Sequence, residues 1–152
     1  MTFDVNSLLS QTITEAGSTQ TIPVPAGDHR AYVEKWEVKS WAKKDDPTVS
    51  DFKLQVTWNI EDPEVRELLG RDKVLVQQDI MLDIDEVGNI ALGKGRNVDL
   101  NRLREALGMN GGRPFSFSAL DGQQAIVTVK HDVDKNDPEK IYPRVKAVGK
   151  LA

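Results

Sequence analysis

Between Asp51 and Ile60 the chain alternates without a break. Phe52, Leu54, Val56, Trp58 and Ile60 are apolar, and Lys53, Gln55, Thr57 and Asn59 between them are polar. A period of two with one apolar parity predicts a half-buried strand. Upstream, "HRAYVEKWEVKSW" begins with Ala31 and Val33 on one parity and continues with Trp36 and Val38 on the other. A phase change inside one apolar strand predicts a bulge. The charged, proline-bearing "AKKDDPTVS" between these runs suits an exposed hairpin connection. A third strand is expected over "KVLVQQDIMLDID", where Val74, Val76, Ile80, Leu82 and Ile84 share a parity, and "EVGN" turns it toward "IAL". "GQQAIVTVK" and "YPRVKAVGK" supply two more.

Two segments change period. "EDPEVRELLG" predicts a short helix with Asp62 as N-cap, Pro63 in the first turn and Gly70 at its end. "VDLNRLREAL" predicts a second, with Leu100, Leu103 and Leu107 as its apolar stripe and Gly108 as its stop. The expected protein is mainly β with two short helices, and its element order is that of an OB-fold. This is a five-stranded Greek-key barrel with a helix between strands 3 and 4. The helix between strands 2 and 3 is then an insertion, and a small antiparallel sandwich is the structural rival. Residues 1–27 read as a polar arm with "SLL" and "TIPV" as its apolar anchors, and residues 28–152 as the barrel domain.

Composition narrows the chemistry. A chain of 152 residues with 39% hydrophobic content suits one core, and no apolar run is long enough to span a bilayer. The absence of cysteine removes disulfides, thiolate metal sites and thiol nucleophiles. With no basic, apolar and cleavable sequence at "MTFDVNSLLS", a cytoplasmic location is expected. A net charge of -4 argues against bulk electrostatic binding of nucleic acid but leaves room for a local basic groove.

Three constellations then carry candidate chemistry. The first is "GKGRN", Gly93 to Asn97, ahead of the second helix. Glycine-rich turns and helix N-termini attract anions, and Lys94 and Arg96 would add charge. The pattern has neither the Lys-Ser/Thr ending of a P-loop nor a dinucleotide fingerprint, so ATP is not expected there. Either it is a turn that caps the helix through Asn97, or it also touches a nucleic-acid phosphate. The second is Asp79, Asp83 and Asp85, placed by parity on one strand face, with Glu86 beside them. They could hold a divalent cation as in a nuclease, but an acidic strand edge explains them without one, and no metal site is assigned. The third is aromatic. Trp36, Trp41 and Trp58, with Tyr32, Phe115, Phe117 and Tyr142, are the rings on which bases could stack, and Lys35, Lys39, Lys43, Lys44 and Lys53 lie among the first of them. Trp58 belongs by parity to the core, whereas Trp41, in "KSWAKKDD", is the ring expected to stand exposed. No nucleophile, base and orienter combine into a specific set, and no enzyme and no cofactor are expected.

The stretches "IPVPAGDHRAYVEKWEVKS", "WNIEDPEV", "GRDKVLVQQDIMLDIDEVGNIALGKGRNVDLNRLREALGMN" and "FSFSALDGQQAIVTVKH" together resemble a family of small bacteriophage proteins, from about Ile22 to the C-terminus. That resemblance implies an OB-fold single-stranded DNA-binding protein that works beside phage replication and recombination proteins in the host cytoplasm. The ending "KAVGKLA" differs from the acidic, aromatic-tipped tail with which such proteins recruit partners, so recruitment by a tail is not expected.

The expected function is therefore binding of single-stranded DNA with little sequence preference. Bases would stack on Trp41 and on Trp36 or Tyr142, with phosphate contacts from Lys43, Lys44, Lys53, Lys94, Arg96, Lys130 and Lys146. Further copies of the chain and replication or recombination proteins are the expected partners besides DNA, and no membrane is. A protein-interaction or virion-assembly module on the same barrel is the alternative, and a metal-dependent nuclease the third reading.

Overall fold

The computed structural model describes residues 4–19 and 21–151; residues 1–3 and 20 of the predicted arm, and residue 152, lie outside them. Five strands close into a barrel: β1 (Gly27–Ala42), β2 (Ser50–Ile60), β3 (Leu75–Leu82), β4 (Gln124–Val133) and β5 (Ile141–Gly149), in the spatial order β1-β2-β3-β5-β4. Closure back from β4 to β1 makes it a barrel rather than a sandwich.

The long first strand is what permits closure. Its 16 residues pair with β4 through Gly27–Tyr32 and with β2 through Ala31–Ala42. The register with β2 slips between Val33 and Lys35, as the change of apolar parity predicted. The extra residue, Glu34, lets Val33 face Trp58 and Trp36 face Val56, all on the inner side.

Inside, Trp58 is fully buried with Leu54, Val56 and Ile60 from its own strand. Its indole Nε1 donates to Gln78 Oε1 at 3.0 Å, which explains a glutamine at an inward position between Val76 and Ile80. β3 ends at Leu82, three residues short of the expected end, so Asp83 and Asp85 lie beyond the strand. Ile84 instead bridges to Ile90 across a turn.

α2 (Pro63–Leu69) is capped by Asp62 Oδ1, which accepts from the Glu64 N–H at 3.0 Å, and ends at Gly70 with φ 63°. α3 (Val98–Ala106) follows β3 and precedes β4, with Leu100, Leu103 and Leu107 in the core and Gly108 at φ 73° beyond it. Two further elements were not expected from the sequence. α1 (Val5–Leu9) lies in the arm, and a 3₁₀ turn (Phe117–Leu120) precedes β4. Both are too short to show a period.

The arm meets the barrel just before β1. Val24 is buried, His131 Nε2 donates to its carbonyl at 2.6 Å, and His29 Nε2 donates to the Pro25 carbonyl at 2.8 Å. No helix among the described residues is long and apolar enough to cross a membrane.

Candidate nucleic-acid interface

Residues opposite one another in register share a face of the sheet, so the pairing itself assembles the outer surface. Trp41 lies opposite Asp51, Lys39 opposite Lys53, Lys53 opposite Met81, Gln55 opposite Asp79, Thr57 opposite Gln77, and Gln77 beside Arg144. Lys130 on β4 then faces Arg144 from the other side. One polar face thus runs across β1, β2, β3, β5 and β4.

Two aromatic rings mark its ends. Trp41, near the β1–β2 hairpin, is 41% exposed, and Lys53 Nζ stands 6.0 Å from its ring centroid. Tyr142, near the β4–β5 hairpin, is 45% exposed, and its hydroxyl donates to Asp134 at 3.4 Å. Beside Tyr142, a depression of about 310 Å³ is lined by Lys35, Thr57, Leu75, Gln77 and Arg144. From Asp51 to Thr57 the β2 backbone alone covers roughly 20 Å, a length suited to several unstacked nucleotides.

Between the rings the charges form a ladder. Asp79 Oδ2 lies 3.8 Å from Lys53 Nζ and 3.2 Å from Arg144 Nη1, while Gln55 donates to its other oxygen at 3.1 Å. Asp132 Oδ2 lies 3.3 Å from Arg144 Nε and 3.1 Å from Lys146 Nζ. Within this ladder three basic side chains share two carboxylates, leaving a net charge of +1 among the five groups. Lys43 is 3.5 Å from Asp51. Lys44, Lys94 and Lys130 are exposed and have no ion-pair partner among the described residues.

The "GKGRN" loop is built differently from its expectation. Gly93 O accepts from the Arg96 N–H at 2.9 Å across a tight turn whose third residue, Gly95, has φ 79°. Asn97 occupies the N-cap position of α3, yet its side chain does not cap the helix. Instead Oδ1 accepts from the Asp83 N–H at 2.7 Å, and Nδ2 donates to the Asp83 and Ala91 carbonyls at 2.8 Å each. Asn97 is 7% exposed and has φ 51°, a conformation asparagine tolerates better than most residues. The side chain thus ties the turn to the chain leaving β3.

Arg96 is not a free cation. Its guanidinium grips Asp83 through Nε and through Nη2, the latter at 2.7 Å. That hydrogen-bonded pairing is the main reason the Asp83 carboxyl is held below the usual aspartate range, with Lys43 nearby adding to it. Lys94, at the tip of the turn, is the loop's remaining free charge.

Two further expectations change. Trp36 lies on the inner parity, with its ring stacked on Phe117 at 6.0 Å between centroids and its Nε1 donating to Asp121 at 2.6 Å. Half-buried in that arrangement, it belongs to the wall of the core rather than to the aromatic face. The three aspartates also do not share a strand face. Asp79 is held in the ladder, Asp83 by Arg96, and Asp85 Oδ1 accepts from the Val87 and Asn89 N–H groups at 2.9 Å in a turn. Among the described residues no group of three or more His, Cys, Asp or Glu side chains is placed to hold a metal ion.

Arg144, at the centre of the ladder, was not singled out in the sequence. Its signal was there, since Tyr142, Arg144 and Lys146 share one parity in "YPRVK". No protein-family model and no curated protein matches the chain.

Proposed function

We propose that the barrel is an OB-fold with Greek-key connectivity and that its outer face binds single-stranded DNA with little sequence preference. The strand order β1-β2-β3-β5-β4, with α3 between the third and fourth strands in sequence, supports the fold assignment. The observation that carries the functional reading is the track from Trp41 to Tyr142. It has an exposed ring at each end and Lys53, Arg144 and Lys146 along its course. Rings stack on any nucleobase, and Lys and Arg side chains meet any phosphate, so such a track discriminates strand form rather than sequence. The resemblance to phage proteins supports a setting in phage replication or recombination within the host cytoplasm.

The test is a titration of a labelled oligonucleotide against a duplex of the same length. Preference for the unpaired strand is expected, because pairing hides the base faces. Equal affinity for both forms refutes stacking. The charge balance contributed by Asp79 and Asp132 favours a second reading, in which the face docks a protein. That reading predicts no binding of either oligonucleotide.

A further inference from the structure

Thr57 belongs to the polar parity of β2, yet it is only 4% exposed. Its hydroxyl has no hydrogen-bond partner among the described residues. A hydroxyl sealed in that state would cost stability. It is not sealed, because His29 Nδ1 is the one fully enclosed side-chain nitrogen or oxygen among the described residues that lacks a partner. The Thr57 hydroxyl therefore reaches open space, and the space this residue lines is the depression beside Tyr142.

The groups around it suit an acceptor. Register places Lys35, Thr57, Gln77 and Arg144 in one row across β1, β2, β3 and β5. Arg144 is shared by Asp79 and Asp132, whereas Lys35 is exposed and has no ion-pair partner among the described residues. The orientation of Gln77 follows from its neighbours. A carboxylate oxygen only accepts, so Gln55 must turn its Nε2 to Asp79 Oδ1, and the same Nε2 then donates to Gln77 Oε1 at 3.2 Å. The Gln77 amide nitrogen is left as a donor with no partner among the described residues. The rest of the lining is largely apolar. Leu75 and Tyr142 each lie two residues before the Gln77–Arg144 pair on the parallel strands, with Val76 and Pro143 between. Among the described residues no carboxylate lines the depression. Its volume of about 310 Å³ corresponds to about ten waters at roughly 30 Å³ each, room for one nucleobase.

We infer that this depression receives one unstacked nucleobase of the bound strand by a carbonyl edge, so that the track prefers a keto pyrimidine to an amino pyrimidine at this one position. The inference rests on the DNA-binding reading and deepens it. The ring of the base lies against Tyr142 and Leu75, and its carbonyl oxygen faces the Thr57 hydroxyl, the Gln77 amide and Lys35. In cytosine an amino group replaces the 4-keto oxygen of uracil or thymine and sets donors against the donors of Lys35 and Gln77. A phosphate would satisfy Lys35 equally well but would leave Leu75, Val76, Pro143 and the Tyr142 ring without a partner. The preference is confined to one position, and the rest of the track stays indifferent to sequence.

The test compares labelled oligodeoxyuridylate and oligodeoxycytidylate of equal length by fluorescence anisotropy at one salt concentration. Neither base carries a methyl group, and the two differ in their 4-keto and 4-amino edges. The parent should bind the uracil strand roughly three- to tenfold more tightly, the worth of one or two hydrogen bonds. Thr57→Val keeps the branched shape and removes the hydroxyl, and Lys35→Met keeps the stem of an exposed side chain and removes its charge. Each should bring the ratio of the two affinities toward one, whereas a residue that only held the fold or met a phosphate would weaken both strands alike and leave the ratio as it is. The inference is overturned, with DNA binding intact, if the parent binds both strands equally or if both variants keep the parent's ratio. If the parent binds neither strand, the DNA-binding reading fails and the inference falls with it.

Discussion

Replacing Asn97 by alanine should destabilise the protein by about 3–5 kcal/mol, far more than its place in a glycine-rich loop suggests. The side chain makes three hydrogen bonds of 2.7–2.8 Å and is 7% exposed, so water does not readily replace it. Each such bond contributes about 0.5–1.5 kcal/mol net, and more where the abandoned partner is left unsatisfied. The Asp83 carbonyl keeps the Ala91 N–H at 3.0 Å, but the Asp83 N–H loses its side-chain acceptor. Alanine must also hold φ near 51°, a left-handed conformation that costs roughly 1–2 kcal/mol. Asn97→Gly loses the same bonds without that strain and should be the milder change by about 1 kcal/mol. Urea denaturation of the parent and both variants measures the differences directly. A loss below about 1 kcal/mol for Asn97→Ala, or a glycine variant weaker than the alanine one, refutes the assignment of Asn97 as the tie between turn and barrel.

Acid should reveal the neighbouring pair. Arg96 holds the folded Asp83 carboxyl below its unfolded value of 3.8, so the stability this contributes is complete above that pH and is lost as pH falls through the lower folded value. The stability difference between the parent and Arg96→Gln should therefore be constant from neutral pH down to about 4 and shrink below it; a difference that grows in acid contradicts the pairing. Asp79→Asn removes the shared counter-ion of Lys53 and Arg144, and should raise oligonucleotide affinity roughly two- to fivefold at low salt, less at high salt. An affinity that is unchanged or lowered in a fluorescence-anisotropy titration would show that the ladder is not part of the binding track.

What the sequence made legible follows from period. The parity slip in β1 and the leucine stripe of α3 each impose one burial pattern that the structure has, while the alternation in β2 holds only as far as Val56, beyond which Thr57 and Asn59 are buried along with Trp58 and Ile60. α2 could be bounded because Asp62, Pro63 and Gly70 act locally. What stayed hidden depends on partners distant in sequence. Trp36 turns inward because Phe117 and Asp121 meet it from about 80 residues away, and nothing in "EKWEV" marks that. Arg96 looks free until the end of β3 brings Asp83 beside it. Asn97 looks like a cap because asparagine is favoured there, yet three backbone groups near Asp83 and Ala91 take its side chain first. The ladder from Lys53 to Lys146 spans β2, β3, β4 and β5, and only barrel closure assembles it.

The most direct test of the DNA-binding reading compares Trp41→Ala and Arg144→Gln with the parent across a range of salt concentrations. For the parent, log affinity for an unpaired oligonucleotide should fall against log salt with a slope of about 2 to 4. Arg144→Gln should flatten that slope by about 0.7, one phosphate contact on a single strand. Trp41→Ala should weaken binding by roughly 1–3 kcal/mol while leaving the slope unchanged, since stacking releases few ions. If the parent does not bind, or if both variants bind like the parent at every salt concentration, the track from Trp41 to Tyr142 is not a nucleic-acid interface.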